Sequence, residues 1–351
     1  MTSVLTAQAI RDRALSFGYE DCGIIPVSDL RGYADRLDER LDRFPEMRAY
    51  FGKYADLAFP DKRFPWAKSV VVCVTWYGRY RLPNNLVGRI GKLYLTDIRP
   101  EPRSTGHQAG LRFDAFLREA GLRTANGRPE GLPPPHAFVP VRWAAMKAGL
   151  GIVRKNNFLY TERGSWAWME TWLIDAEMEL RLAPAAPPCP ESCTLCQQAC
   201  PTGALAGAYA MNAAACVTAR TTKAGARADD PLCGRFGGWL YGCDACQDAC
   251  PHNRGAWTED EDFPGLAEMA EGLSPEAIAG ADYAWLRGKV STRLYYIAQD
   301  DLWKWKANAL NAIRNNWSET SRPAVEQARH DGNGVVRALA EAILCERPAS
   351  G

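Results

Sequence analysis

Apolar residues recur at helical spacing over residues 5–17, where Ala7, Ile10, Ala14 and Phe17 fall near one face and Gly18 ends the run. Cys22-Gly-Ile-Ile-Pro26 has the short unbroken apolarity of a buried strand, with Cys22 as a small core hydrophobe. Residues 46–59 are aromatic and follow neither period. Val70–Tyr77 is β-branched and apolar on both faces, which predicts a central strand covered on two sides, Cys73 included. Residues 77–107 read as a solvated loop, in which Gly88 and Gly91 beside Arg89 and Lys92 form a weak anion cradle. A helix follows over 108–120, with Leu111, Phe113, Phe116 and Leu117 apolar and Gly121 as its cap.

Leu132-Pro-Pro-Pro-His136 is a stiff, extended entry to a second helix, Val141–Ala148, which Pro140 opens and Gly149 closes. A basic glycine turn to Asn157, a short strand Phe158–Tyr160 and a turn Gly164–Trp166 come next. Residues 166–180 predict a long strand with Trp166, Trp168 and Trp172 on one face. Ala183-Pro-Ala-Ala-Pro-Pro188 marks a boundary. Beyond about residue 258 the pattern turns helical, with amphipathic runs at 302–313, 323–329 and 335–343. Paired in this way they look like one or two HEAT-type repeats, too few to stand alone.

Composition changes little. The 42 basic and 41 acidic residues nearly cancel, so no global field draws the chain to nucleic acid or anionic membrane. No apolar run approaches the roughly 20 residues of a membrane span. The N-terminus reads as an amphipathic helix and not as a targeting peptide. Twelve tryptophans fit either flat walls around a large ligand or ordinary core.

Candidate chemistry is concentrated in the cysteines, nine of which lie between Cys189 and Cys250. The first run is Cys189-x3-Cys193-x2-Cys196-x3-Cys200-Pro201, and the second is Cys243-x2-Cys246-x3-Cys250-Pro251. Short spacings that end in Cys-Pro are those of bacterial ferredoxins, where the cysteine before proline serves the other [4Fe–4S] cube. One set is then Cys189, Cys193, Cys196 and Cys250, with Cys189 irregular because its spacing is x3. The other holds Cys200, Cys243 and Cys246, and Cys216 and Cys233 compete for its fourth place. Disulfides are disfavoured without an export signal, and a doubled Cys-Pro ending is not a zinc habit. Oxygen-sensitive clusters without such a signal predict a cytoplasmic protein.

Several stretches together resemble the epoxyqueuosine reductases. They are Ala148-Gly-Leu-Gly151, Arg154-Lys155-Asn156 (Arg154 standing for a family glycine), Gly164-Ser-Trp166 and Ile174-Asp175, followed by Cys193 to Leu205, Tyr241 to Asn253 and Lys306-Ala-Asn-Ala-Leu310. The match runs from about residue 140 onward. It implies that Cys216, in Asn212-Ala-Ala-Ala-Cys216, completes the second ligand set. It further implies two [4Fe–4S] clusters feeding a base-off cobalamin that reduces the epoxide of a modified tRNA nucleoside. Arg142, Lys155, Asn156, Ser165 and Trp166 would line that cofactor.

The expected fold is α+β: an α/β corrinoid-binding domain over 1–182, a two-cluster ferredoxin-like module over 183–257 and a HEAT-like helical domain over 258–351. The electron donor would be a ferredoxin or flavodoxin.

Two stretches depart from the family. Its acidic stretch before the helix is here Pro133–Pro140, without a carboxylate, which makes His136 the candidate proton donor. Its Tyr-Ala-x-Gly-x-Asp-Tyr-His segment is reduced to Tyr94-Leu-Thr-Asp97 and a later His107. These changes admit a small-molecule substrate, as in the related reductive dehalogenases, or a non-catalytic electron carrier. Arg287, Lys289, Arg293, Lys304 and Lys306 offer a modest basic patch for tRNA, though a solvated helix face explains them as well.

Overall fold

The Thr6 hydroxyl caps α1 (Ala7–Ser16) by accepting the Ala9 N–H, and the chain then enters β1 (Asp21–Pro26). The computed structural model describes residues 5–126 and 138–348. α2 (Gly32–Arg43) buries only Leu37 and Leu41 and leads through helical turns to β2 (Ser69–Trp76). α3 (Thr105–Glu119), β3 (Thr124–Ala125), α4 (Val141–Lys147) and β4 (Ala167–Ile174) complete this part of the chain.

The strands form one sheet in the order β1-β2-β4-β3, and every neighbouring pair is antiparallel. Val71 and Cys73 of β2 face α1 and α3, where they join Ile10, Phe113 and Leu117. Val70, Val72 and Val74 face α4 and join Ala144, Ala145 and Ala148. Burial on both faces produces the unbroken apolar run in the sequence. The expected α/β unit is therefore corrected to an antiparallel sheet between helix layers. Gly23 lets α4 close on β1, because a Cβ there would lie 2.9 Å from the Cβ of Ala148. β4 stops at Ile174 and does not continue to residue 180. Asp175 turns the chain by accepting the Arg123 N–H at 3.0 Å, and Leu180 returns to bridge Ile24.

Residues 77–98 leave the sheet and enter a second core with α5 (Pro275–Gly280), α6 (Trp303–Asn315), α7 (Arg322–Ala328) and α8 (Gly334–Glu346). α6 is its axis. Trp305 is wholly buried and stacks on Tyr241, with ring centroids 4.7 Å apart. Asn308 Nδ2 donates to the carbonyls of Thr221 and Leu240 at 2.8 and 2.9 Å, and Asn311 Nδ2 donates to that of Cys233 at 3.0 Å. The cysteine-bearing segment is thus held between the C-terminal helices and the loop that leaves β2. This corrects the solvated loop expected over residues 77–107, whose Leu86, Ile90 and Leu95 are wholly buried, and the weak anion cradle in it is filled from within, since Asp244 Oδ2 accepts the Lys92 N–H at 2.8 Å.

Candidate active site: cysteine cavities beside an open cleft

The one-turn helices Leu195–Gln198 and Ala245–Asp248 each present the cysteines of one run. Cys189, Cys193, Cys196 and Cys250 rim a single cavity of about 100 Å³. Burial pushes the Cys196 thiol up, and the neighbouring thiols of Cys189, Cys193 and Cys250 push it further. Lys155 closes this cavity from the sheet side. Its buried ammonium donates to the carbonyls of Pro190, Glu191 and Cys193 at 2.8, 2.5 and 3.0 Å. Asn156 Nδ2 donates to the Tyr160 hydroxyl at 2.9 Å and to the Cys246 carbonyl at 3.1 Å. Burial, and then the Cys250 thiol beside it, holds the Tyr160 phenol above its ordinary range.

Cys200, Cys216, Cys243 and Cys246 form the second gathering. Burial raises the Cys246 thiol well above its usual value, and Cys243, Cys216, Cys200 and Cys196 add to the effect. Cys216 precedes the turn Val217–Ala219, so the N–H groups of Thr218 and Ala219 bond to its sulfur and partly offset the rise from burial. Cys233 stands apart. It is fully buried, and its sulfur accepts the Arg227 N–H at 3.5 Å. Among the described residues no three His, Cys, Asp or Glu side chains converge as ligands of one ion would. Four separated sulfurs around a void suit a cube, in which each thiolate takes a different iron.

Next to the first cavity lies a cleft of about 280 Å³. One wall is the outer edge of β4 over residues 167–172, since among the described residues β3 pairs only with Leu173 and Ile174. The aromatic walls are Tyr77, Phe138, Phe158, Trp168 and Tyr296. Arg142 enters from the start of α4 and donates to the Asn157 carbonyl, and burial followed by nearby Arg40 lowers its guanidinium. Among the described residues the buried Trp168 Nε1 has no hydrogen-bond partner. Arg99 closes the far side over the Trp168 ring, anchored to Asp97 and donating to the Tyr296 hydroxyl at 2.8 Å. Ser165 joins the cleft to the cysteines: its Oγ donates to Gln247 Oε1 at 2.8 Å and its N–H to Asn253 Oδ1 at 2.9 Å. Sequence reasoning did not single out Arg99 or its anchoring by Asp97. The degraded Tyr94–Asp97 segment was its sole trace.

Placement departs from expectation at several residues. Arg142 and Ser165 do line the cleft. Lys155 and Asn156 line the cysteine cavity instead, because an ammonium this deeply buried needs the carbonyls of the cysteine loop. Trp166 packs between Tyr77 and Trp257 with Lys92 Nζ 4.4 Å from its ring centre. His136 lies outside the described residues. The C-terminal basic patch is largely used up within the fold: Lys304 pairs with Asp301 at 2.7 Å, Lys306 with Asp331 at 2.6 Å, and Arg293 donates to the Pro264 carbonyl at 2.9 Å. Among the described residues no helix is long and apolar enough to cross a membrane.

Residues 189–253 match the family of 4Fe-4S double cluster binding domains, so the chain carries a two-cluster iron–sulfur module. Over 258 residues the chain is 34% identical to the epoxyqueuosine reductase of Cellulophaga algicola, covering 70% of this chain and 78% of that one. The Staphylococcus aureus epoxyqueuosine reductase is 37% identical over 123 residues, a stretch that spans only 32% of that protein. The crystal structure of an epoxyqueuosine reductase with an epoxyqueuosine-modified tRNA-Tyr stem loop has the same fold, with a TM-score of 0.74 at 22% identity over 96% of this chain and 88% of that one. With its cysteine module intact and its length largely shared with the Cellulophaga relative, the chain belongs to the epoxyqueuosine reductase family of oxidoreductases.

Proposed function

We propose that this chain is a cobalamin-dependent iron–sulfur reductase that converts the epoxide of a modified tRNA nucleoside to an alkene, taking two electrons and two protons and releasing water. Cys189, Cys193, Cys196 and Cys250 hold one [4Fe–4S] cluster, and Cys200, Cys216, Cys243 and Cys246 hold the other. These ligands sit in a module over 183–257, between a cofactor-binding domain over 1–182 and a HEAT-like helical domain over 258–351. The observation that carries the reading is the Ser165 bridge, which fixes an open aromatic cleft directly against the cysteine-bearing segment.

The cleft fits a corrinoid through its donor set. A strand edge left open among the described residues, a Trp168 Nε1 without a partner among them and the buried Arg142 guanidinium suit a large planar ligand fringed with amides and a phosphate. When bound, a corrinoid supplies the strongly reducing metal centre that C–O cleavage requires. The chain's own residues do the rest. Arg142 orients anionic groups, the aromatic walls exclude water, and His136 delivers a proton. A ferredoxin or flavodoxin in the cytoplasm supplies the electrons.

The test is anaerobic purification with reconstituted clusters, then titration with cobalamin followed by cobalt(II) EPR, and turnover of epoxyqueuosine tRNA against small electrophiles. About eight irons, as two cubes require, with a base-off signal and tRNA turnover is the expected result. The same iron content without cobalamin binding would overturn the reductase and leave an electron carrier.

A further inference from the structure

A second groove, of about 250 Å³, is walled by Tyr50, Lys53 and Tyr54 on one side and Lys223 on the other, over a floor of Ala213 and Ala214. Tyr50 and Tyr54 are 50% and 38% exposed, unlike the buried aromatics of both cores. Lys53 Nζ lies 5.6 Å from the Tyr54 ring centre, and Lys223 Nζ lies 5.7 Å from that of Tyr296. Among the described residues no acidic side chain lines the groove, and its third cation, Arg220, is already paired with Asp230. Among the described residues neither lysine meets a carboxylate. Lys304 and Lys306 of α6, by contrast, are each neutralised within the fold. The unneutralised positive charge of this part of the surface is thus at Lys53 and Lys223, where it calls for an anion.

The groove also lies near the cleft. Tyr296, under Lys223, lines the cleft, and Tyr33 is near both Tyr54 and Arg142. The small alanine floor leaves room for a flat ring against the tyrosines. Exposed aromatics beside unpaired lysines are the elements of a single-strand platform: rings stack on bases while cations follow the phosphates. We propose that this groove binds single-stranded RNA next to the nucleotide that enters the cleft, with a base on Tyr50 or Tyr54 and phosphates on Lys53 and Lys223. This rests on the tRNA reading above and assigns it a docking surface away from the C-terminal helices.

The test uses the full-length, cluster-loaded protein and a fluorescein-labelled RNA stem-loop with an anticodon-type loop, measured by anisotropy across a salt series. Lys53→Glu/Lys223→Glu should weaken binding at least about tenfold and flatten the slope of log K against log salt by about 1.4, two contacts at about 0.7 each. The neutral pair Lys53→Met/Lys223→Met, which keeps the packing, should show the same slope change. Tyr50→Ala/Tyr54→Ala should weaken binding by between about fivefold and a hundredfold without changing the slope. Arg287→Ala/Lys289→Ala should leave affinity unaltered. Wild-type binding with unaffected groove variants overturns the groove alone. So does a groove variant that loses affinity for an acidic ferredoxin and keeps it for RNA. A wild-type protein that fails to bind the stem-loop overturns the groove and the tRNA reading together.

Discussion

The cysteine-rimmed cavity and the cleft beside it are joined through Ser165 but treat their polar groups in opposite ways. Around the cavity most donors are turned inward: Lys155 spends its ammonium on three carbonyls, Asn156 bridges Tyr160 and the second cysteine run, and Arg154 Nε alone of the buried lining donors is left over among the described residues. In the cleft, Trp168 Nε1 has no partner, Arg142 has a carbonyl but no carboxylate, and the strand edge is bare among the described residues. A largely satisfied network is rigid, whereas unsatisfied donors carry a desolvation cost that a bound molecule relieves. The first arrangement suits a group that stays. The second suits a large ligand that must be admitted.

The sharpest way to break this contrast is at the crossing cysteine. Cys250→Ser should leave about four irons per chain where the parent holds about eight, by iron assay and EPR, while Cys233→Ala keeps the full complement. Equal loss in both would dissolve the distinction between the two ligand sets. Next in size, Lys155→Met should destabilise the reconstituted protein by on the order of 3 kcal/mol in chemical denaturation, since three buried carbonyls lose their donor. Cobalamin affinity should hold in that variant if the cavity and the cleft are separate. Arg142→Ala should do the converse, raising the cobalamin Kd about tenfold, or about 1.4 kcal/mol, with iron content unchanged.

The smallest effect calibrates the others from a remote position. Burial raises the Asp331 carboxyl, but Lys306, Tyr283 and the Asn333 N–H outweigh it and hold it below its ordinary value. A depressed carboxylate contributes stability above its unfolded pKa of about 3.9 and loses it as pH falls through the folded value. The stability gap between wild type and Asp331→Asn should therefore be constant at neutral pH and shrink in acid, as read from denaturation midpoints. A gap that widens in acid would reverse the assignment.

Much of this was legible in short stretches of sequence. β2 announced itself by apolar burial on both faces, and the Cys-Pro endings foretold that Cys250 would join the first run. The antiparallel pairing was not legible, because a strand covered on both sides reads the same in either sheet. Nor was the role of Lys155: a basic turn gives no sign of whether its ammonium will face a cofactor or a distant carbonyl loop. α2 escaped notice because Leu37 and Leu41 are its sole buried residues, and the groove escaped with it, since Lys53 belongs to a run with no period of its own. The cleft draws on residues from Tyr77 to Tyr296, and no local pattern spans that distance.

On the proposed ligand sets, the crossing of the two cysteine runs would also govern when the chain can acquire iron. During synthesis the first cavity lacks its fourth wall until Cys250 has emerged, although Cys189, Cys193 and Cys196 are exposed well before. The second gathering needs Cys200 from the earlier run and closes only with Cys246. Iron delivered early would meet three thiols and no complete site, so loading would wait until the whole segment has folded back on itself. The segment in turn depends on α6, whose asparagines hold its carbonyls. On that reading a product truncated before α6 should remain iron-free.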